Sequence, residues 1–362
     1  MTQPSTLRRL LAVGAATALA MPLATSAVAA PPSTDADWDV TVVDPDQGFR
    51  GLDAVDRDTA WVTGGSASGG EGGVFRTTNG GAHWEDVRPA GSEGLMFRDV
   101  EARDAETAVV LAIGPGEASR IYRTTDGGAT WAETFRNTEE AAFYNCVDFA
   151  PGGRDGLAVS DPVDGRFRIL RTADGGASWE VLPTAGMPDS TGEFNFSASG
   201  DCLVMDGRDA WFGSGGADSR VFHSRDLGMT WTATDSGLPA GEAAGVFGMA
   251  TKNPRQAVVV GGDFAAPDNG TDAAATTRDG ATWTGGGDVA HLGEDAAFVP
   301  GTRATVLAVG QGGAIGGTSR SLDGGRTWTQ VSDEAFHTLD CTNDGSCWAA
   351  GGGGRVGRLD MH

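Results

Sequence analysis

The chain has 362 residues, 57 of them glycine, and a formal net charge of −23. So acidic a surface disfavours DNA, RNA and anionic lipid as partners, and suits cationic ligands or plain solubility. Lys252 stands alone as a lysine beside 25 arginines, a skew that carries no functional message.

The first thirty residues read as an export signal: Arg8 and Arg9, an apolar stretch of alanine and leucine, then Ala27-Val28-Ala29. Cleavage after Ala29 is favoured, because a cut after Ala30 leaves Pro31 first. The expected division is a leader over 1–29 and one domain over 30–362, secreted or extracytoplasmic. Both general secretion and twin-arginine export fit the leader. The apolar run is too short and alanine-rich for a membrane span, and loss of the leader moves the charge to −25.

Beyond the leader a short segment recurs. Thr124-x-Asp126-x-Gly128-x-Thr130-Trp131 is matched position for position by copies carrying Asp174 and Trp179, Asp226 and Trp231, and Asp323 and Trp328. A first copy substitutes Asn79 and His83 before Trp84, and the copy with Asp279 and Trp283 has lost one residue between the two. The tryptophans fall 47, 48, 52, 52 and 45 residues apart, and one further step back reaches Trp38, a seventh equivalent. A period of this length marks stacked units that cannot bury their apolar faces alone.

In phase with the tryptophans run seven apolar segments, 60–64, 108–114, 156–160, 210–213, 257–261, 305–310 and 347–351, each closed by small residues. They predict buried strands bounded by turns. Each unit then has an inner strand, this buried strand, a third ending at the Asp motif and a fourth containing the Trp. That is the make-up of a propeller blade. The last unit stops one strand short, and the segment 38–43 offers the missing strand. The expectation is an all-β, seven-bladed propeller whose final blade is closed by the N-terminal strand, leaving no exposed edge. In the motif the carboxylate of Asp126, Asp174, Asp226, Asp279 or Asp323, or the amide of Asn79, accepts backbone N–H groups across a glycine turn. The expected role of these six is structural.

These segments resemble Asp-box, or BNR, repeats, found in sialidases, sortilin-type receptors and photosystem II stability/assembly-factor propellers. The resemblance covers essentially the whole chain after the leader. It implies a WD40/YVTN/BNR-like propeller with the boxes on the face opposite the ligand site. In size and in having one exported propeller, the chain is most similar to the assembly-factor type, which implies non-catalytic binding of other proteins.

Four cysteines in an exported chain favour disulfides, with three possible connectivities. Cys341 and Cys347 flank a turn between adjacent strands of the last blade, and Cys146 and Cys202 sit near inner strands of neighbouring blades. The favoured pairs are therefore 341–347 and 146–202. No clustered Cys/His spacing points to a metal, and His83, His223, His291 and His337 are scattered.

If the boxes mark one face, the loops of the other bring together Arg50, Arg98, Tyr144, Asp161, Asp164, Glu193 and Asp263, candidates for binding a protein or glycan. A sialidase is disfavoured: Phe49-Arg50 is followed by Gly51-Leu52, and the only tyrosines, Tyr122 and Tyr144, come early in the chain. The alternative is another glycoside hydrolase using acidic channel residues, with Glu193 and Asp161 as first candidates. A further alternative, an oxidoreductase, lacks support, because Gly310-x-Gly312 and the glycines 351–354 are not followed by a helix pattern or a downstream acid. The expectation is a monomeric binding or assembly module with no cofactor and no catalytic residues.

Overall fold

The computed structural model describes residues 36–66, 71–312 and 314–361; the leader predicted over 1–29 lies outside them. The seven apolar segments form the second strands of seven antiparallel sheets. Ala108–Ile113 and Ser346–Gly351 are buried along their whole length, because each lies in mid-sheet with a blade against both faces. Blade 2 shows the plan: inner strand Met96–Ala102, then Ala108–Ile113, Arg120–Thr124 and the outer Ala132–Arg136. Among the described residues seven blades form a ring, with no ladder running from one sheet into the next.

The last blade is completed from the other end of the chain. Asp39–Val42 pairs antiparallel with Arg355–Asp360, placing Asp39 opposite Arg358 and Val42 opposite Arg355. Trp38 packs on Phe336 at 5.1 Å between ring centroids and donates its indole N–H to Thr318 Oγ1 at 3.0 Å. It therefore plays the part of a seventh repeat tryptophan.

The other repeat tryptophans fill the seams between blades. Trp131 meets Trp61 of blade 1 edge-on at 6.3 Å, and Trp84 meets Trp348 of blade 7 at 6.1 Å. Trp283 packs in the cluster that holds Trp211 of blade 4. Such ring pairs contribute about 0.5–1.5 kcal/mol beyond the area they bury.

The repeated motif forms the turn between third and fourth strands. Asp126 Oδ1 accepts the Thr124 hydroxyl at 2.8 Å and the Thr130 N–H at 2.9 Å, while Oδ2 accepts the Thr130 hydroxyl at 2.6 Å. Thr124 Oγ1 in turn accepts the Gly128 N–H at 3.0 Å. The same set recurs around Asp174, Asp226 and Asp323. Around Asp279 the shortened turn keeps it with Ala281 and Thr282 as donors. Around Asn79 the bond to the last side chain is lost, leaving the His83 N–H at 2.9 Å. Gly127 and Gly128 have φ of 73° and 86°, a region that favours glycine. Each turn also leans on the first turn of its own blade, as in the bond from Gly127 N–H to the Glu106 carbonyl, so both kinds of turn share one face.

Both disulfides form as expected, Cys146 with Cys202 and Cys341 with Cys347. Glu193–Phe194 does not pair with the inner strand of blade 4, which is Leu203–Asp206. It pairs instead with Gly215–Gly216, which pairs with the long strand Gly241–Asn253, so the sheet of blade 5 has six strands. Glycine at 215 permits this: a Cβ there would fall 2.3 Å from the Phe196 ring.

Candidate functional site

On the face away from the motif turns, the chain between blades 3 and 4 runs into the channel mouth. Residues 195–202 are tied to most of the ring. The Arg50 guanidinium of blade 1 donates to the Ala198 carbonyl at 2.7 Å, and that of Arg98 of blade 2 to the Ser197 carbonyl at 2.6 Å. Ser197 Oγ donates to Asn145 of blade 3 at 3.3 Å, and Met249 N–H of blade 5 donates to the Asp201 carbonyl at 3.0 Å. The Cys146–Cys202 disulfide anchors the end of the segment to blade 3. This segment is a plug, and Arg50 and Arg98 hold it.

The other predicted residues divide. Asp161 is half-buried and accepts from Asn195 N–H at 2.9 Å and Asn145 Nδ2 at 3.0 Å; burial pushes its carboxyl up to about 6 against these bonds. Glu193 is buried and saturated, with both oxygens on Arg220 and a further bond from Ser214 Oγ at 2.5 Å. Asp263 accepts the Ala265 N–H at 2.8 Å, and exposed Asp164 occupies a tight turn with φ of 52°. The structure does not bring Tyr144 to the mouth. Its ring is fully buried between blades 2 and 3, edge-on to Phe135 at 5.4 Å, because its strand position points into the seam.

Sequence reasoning missed three features. First, Glu294, just before the inner strand Asp295–Phe298, joins Arg50 at 3.4 Å, His337 Nδ1 at 2.9 Å and the Gln311 N–H at 2.6 Å. Burial pushes its carboxyl up, but His337 and Arg50 outweigh this and hold it below the ordinary glutamate range.

Second, the inner strands carry acids that bridge blades. Asp53 accepts the Ala102 N–H at 2.5 Å, Asp99 that of Val147 at 2.7 Å and Asp148 that of Met205 at 2.5 Å. Asp295 accepts from Leu339 at 2.8 Å and Asp340 from Ala54 at 3.0 Å. In each case the donor belongs to the next blade, so a carboxylate satisfies an inner edge that no ladder covers. Burial raises every one of these carboxyls, those of Asp148 and Asp295 to about 7. The signal was available: an acid follows an apolar residue near the end of inner strands, as in Leu52-Asp53, Val147-Asp148 and Leu339-Asp340.

Third, four phenylalanines gather beside the plug. Phe196 contacts Phe247 at 5.4 Å and Phe264 at 5.7 Å, with Phe194 at 6.4 Å. Phe194 and Phe264 remain 49% and 55% exposed, unusual for such side chains. The same face carries exposed Asp164, Asp189, Asp218 and Glu242.

No family model matches the chain, and no curated protein matches it. Solved propellers do. A structure of YCF48 bound to D1 peptide is 16% identical, covers 90% of this chain and 97% of that one, and superposes with a TM-score of 0.63. YCF48 from Cyanidioschyzon merolae is 17% identical over 89% of this chain and 98% of its own, with a TM-score of 0.59. A chain of the Mitotic Checkpoint Complex gives 11% identity, 94% and 99% coverage and a TM-score of 0.61. At these identities the likeness shows the propeller fold alone.

Proposed function

We propose that this chain is an exported, non-catalytic Asp-box propeller that acts as a binding or assembly module through the face opposite the boxes. The observation that carries the reading is the exposed Phe194–Phe264 cluster, held on a channel mouth already filled by the chain's own residues. An exposed aromatic patch of this kind marks an interaction surface. The YCF48 propeller solved with a D1 peptide supports a protein partner. The acidic flank favours a protein segment with apolar and basic side chains. Two disulfides fit an oxidising, extracytoplasmic compartment, and among the described residues no helix is long and apolar enough to cross a membrane.

The glycoside hydrolase alternative needs two carboxyl groups that can exchange protons. Asp161 has a raised carboxyl suited to an acid, but Arg220 and Ser214 occupy Glu193. Selection of peptides from a random display library, followed by affinity measurement, tests the binding reading. Phe194→Ser with Phe264→Ser should weaken a selected peptide by about tenfold or more, the scale of a hot-spot loss. Failure to enrich any peptide, or hydrolysis of a glycan polymer that Glu193→Gln or Asp161→Asn abolishes, would overturn the reading.

A further inference from the structure

Many arginines in this acidic chain lie beside carboxylates: Arg57, Arg76, Arg88, Arg120, Arg136 and Arg220 each form at least one ion pair. Others form none, and at one place four of these gather. On the box face, where blades 5 and 6 meet, a surface pocket of 560 Å³ is lined by Arg255, Arg278, Arg303 and Arg326, together with Leu322 and Asp323. None of these four arginines forms a salt bridge among the described residues, and all four are exposed. Lys252, the single lysine, lies alongside and donates to the carbonyls of Thr302, at 3.0 Å, and Arg303. The nearby acids offer little compensation. Asp323 and Asp279 already accept the hydroxyl and amide donors of their own turns.

The turns themselves do not call for these cations. Arg326 stands where the other full-length copies of the repeat carry Ala82, Ala129, Ala177 and Met229, and the turns of the last three close with the same bonds. Arg278 stands where the first three copies carry Thr78, Thr125 and Ala173. Four turns from two blades each supply one guanidinium to the same pocket: Arg255 and Arg303 from the first turns, Arg278 and Arg326 from the box turns. Arg326 is held in place by its own Nε, which donates to the Asp323 carbonyl at 3.0 Å and leaves the remaining donors outward. Like charges brought together in this way repel, a cost that a bound anion would relieve.

We propose that this pocket binds a small polyanion bearing two or more phosphate groups. The guanidinium fork matches phosphate oxygens with paired N–H donors, and several forks converging on one pocket suit a ligand with several charges. The pocket's volume is in the range of small-molecule sites. The site is separate from the channel face, so it stands or falls independently of the peptide-binding reading.

Calorimetric titration of the purified chain with tripolyphosphate at physiological salt tests it. Saturable binding is expected, weakened by about tenfold or more in Arg278→Thr/Arg326→Ala, which removes two charge-assisted partners. Both substitutions install residues that other copies of the turn already carry, so the melting temperature should stay put. Binding by tripolyphosphate without co-sedimentation on phosphatidylcholine vesicles containing phosphatidic acid would assign the site to a free phosphate compound. Co-sedimentation lost in the double variant would assign it to a lipid headgroup. Absence of binding to both probes, or binding that the double variant retains, would overturn the proposal.

Discussion

The motif turns and the channel wall use the same residue for the same purpose and reach opposite electrostatic results. In both, an aspartate accepts backbone N–H groups. At the rim, Asp126 and its counterparts face solvent, and hydrogen bonds from Thr130 and its equivalents hold their carboxyls below the usual range. On the inner strands, half-buried Asp148 and fully buried Asp295 accept comparable bonds, and desolvation lifts them to about 7. Hydrogen bonding decides the sign where water remains, and burial decides it where water is gone. The rim turns are local devices that a short motif can encode. The wall acids act between blades and work only in the closed ring.

The largest expected effect is at the plug, which belongs to the channel side. Cys146→Ala with Cys202→Ala should lower unfolding stability by about 2–4 kcal/mol in chemical denaturation. Loss of Cys341–Cys347, which closes a much shorter loop, should cost clearly less. Next comes the wall itself. Asp295→Ala leaves the N–H of Leu339 in the next blade without an acceptor and should cost about 1–3 kcal/mol. Asp295→Asn keeps an acceptor and removes the charge, so at pH 8 it should be far milder than alanine. Equal losses in the two variants would break the comparison.

Stability against pH sharpens it further. The folded wall acids hold protons that the unfolded chain, with carboxyls near 3.9, has given up. Stability from this source is therefore fully present below about pH 4 and falls as pH rises through about 7. Asp295→Asn should flatten that decline. The motif acids have the reverse sign, since their folded carboxyls lie low. They contribute above the unfolded value and lose that contribution as pH drops through the folded one. A melting-temperature series from pH 3 to pH 9 checks both limbs. The smallest effect is at the rim: Asp126→Ala should lower the melting temperature slightly, in line with other lost capping bonds, and Asn79→Asp should return a fraction of that to the degenerate first turn.

The legible part of this protein is the part written within each repeat. Trp131 and its counterparts set the blade phase, the lone ring of Trp38 located the strand that completes blade 7, and the cysteines paired as their strand positions implied. What stayed hidden depends on contacts made around the ring. Arg50 meets Ala198 across 148 positions of sequence and Glu294 across 244, and no local pattern records such distances. Glu193–Phe194 has the look of a strand beside blade 4, yet its ladder partner, Gly215–Gly216, serves blade 5. Tyr144 sits among mouth residues in sequence, but strand alternation turns its ring into the seam. The four arginines between blades 5 and 6 lie in ordinary turn positions, and only the neighbouring blade makes them a cluster.

Amide hydrogen exchange with and without a selected peptide locates the face on which a partner binds. Added protection is expected at residues 193–197, 244–247 and 263–264, with the motif turns around Asp126 and Asp174 unchanged. Protection confined to the motif turns, or spread evenly around the ring, would contradict binding at the channel mouth.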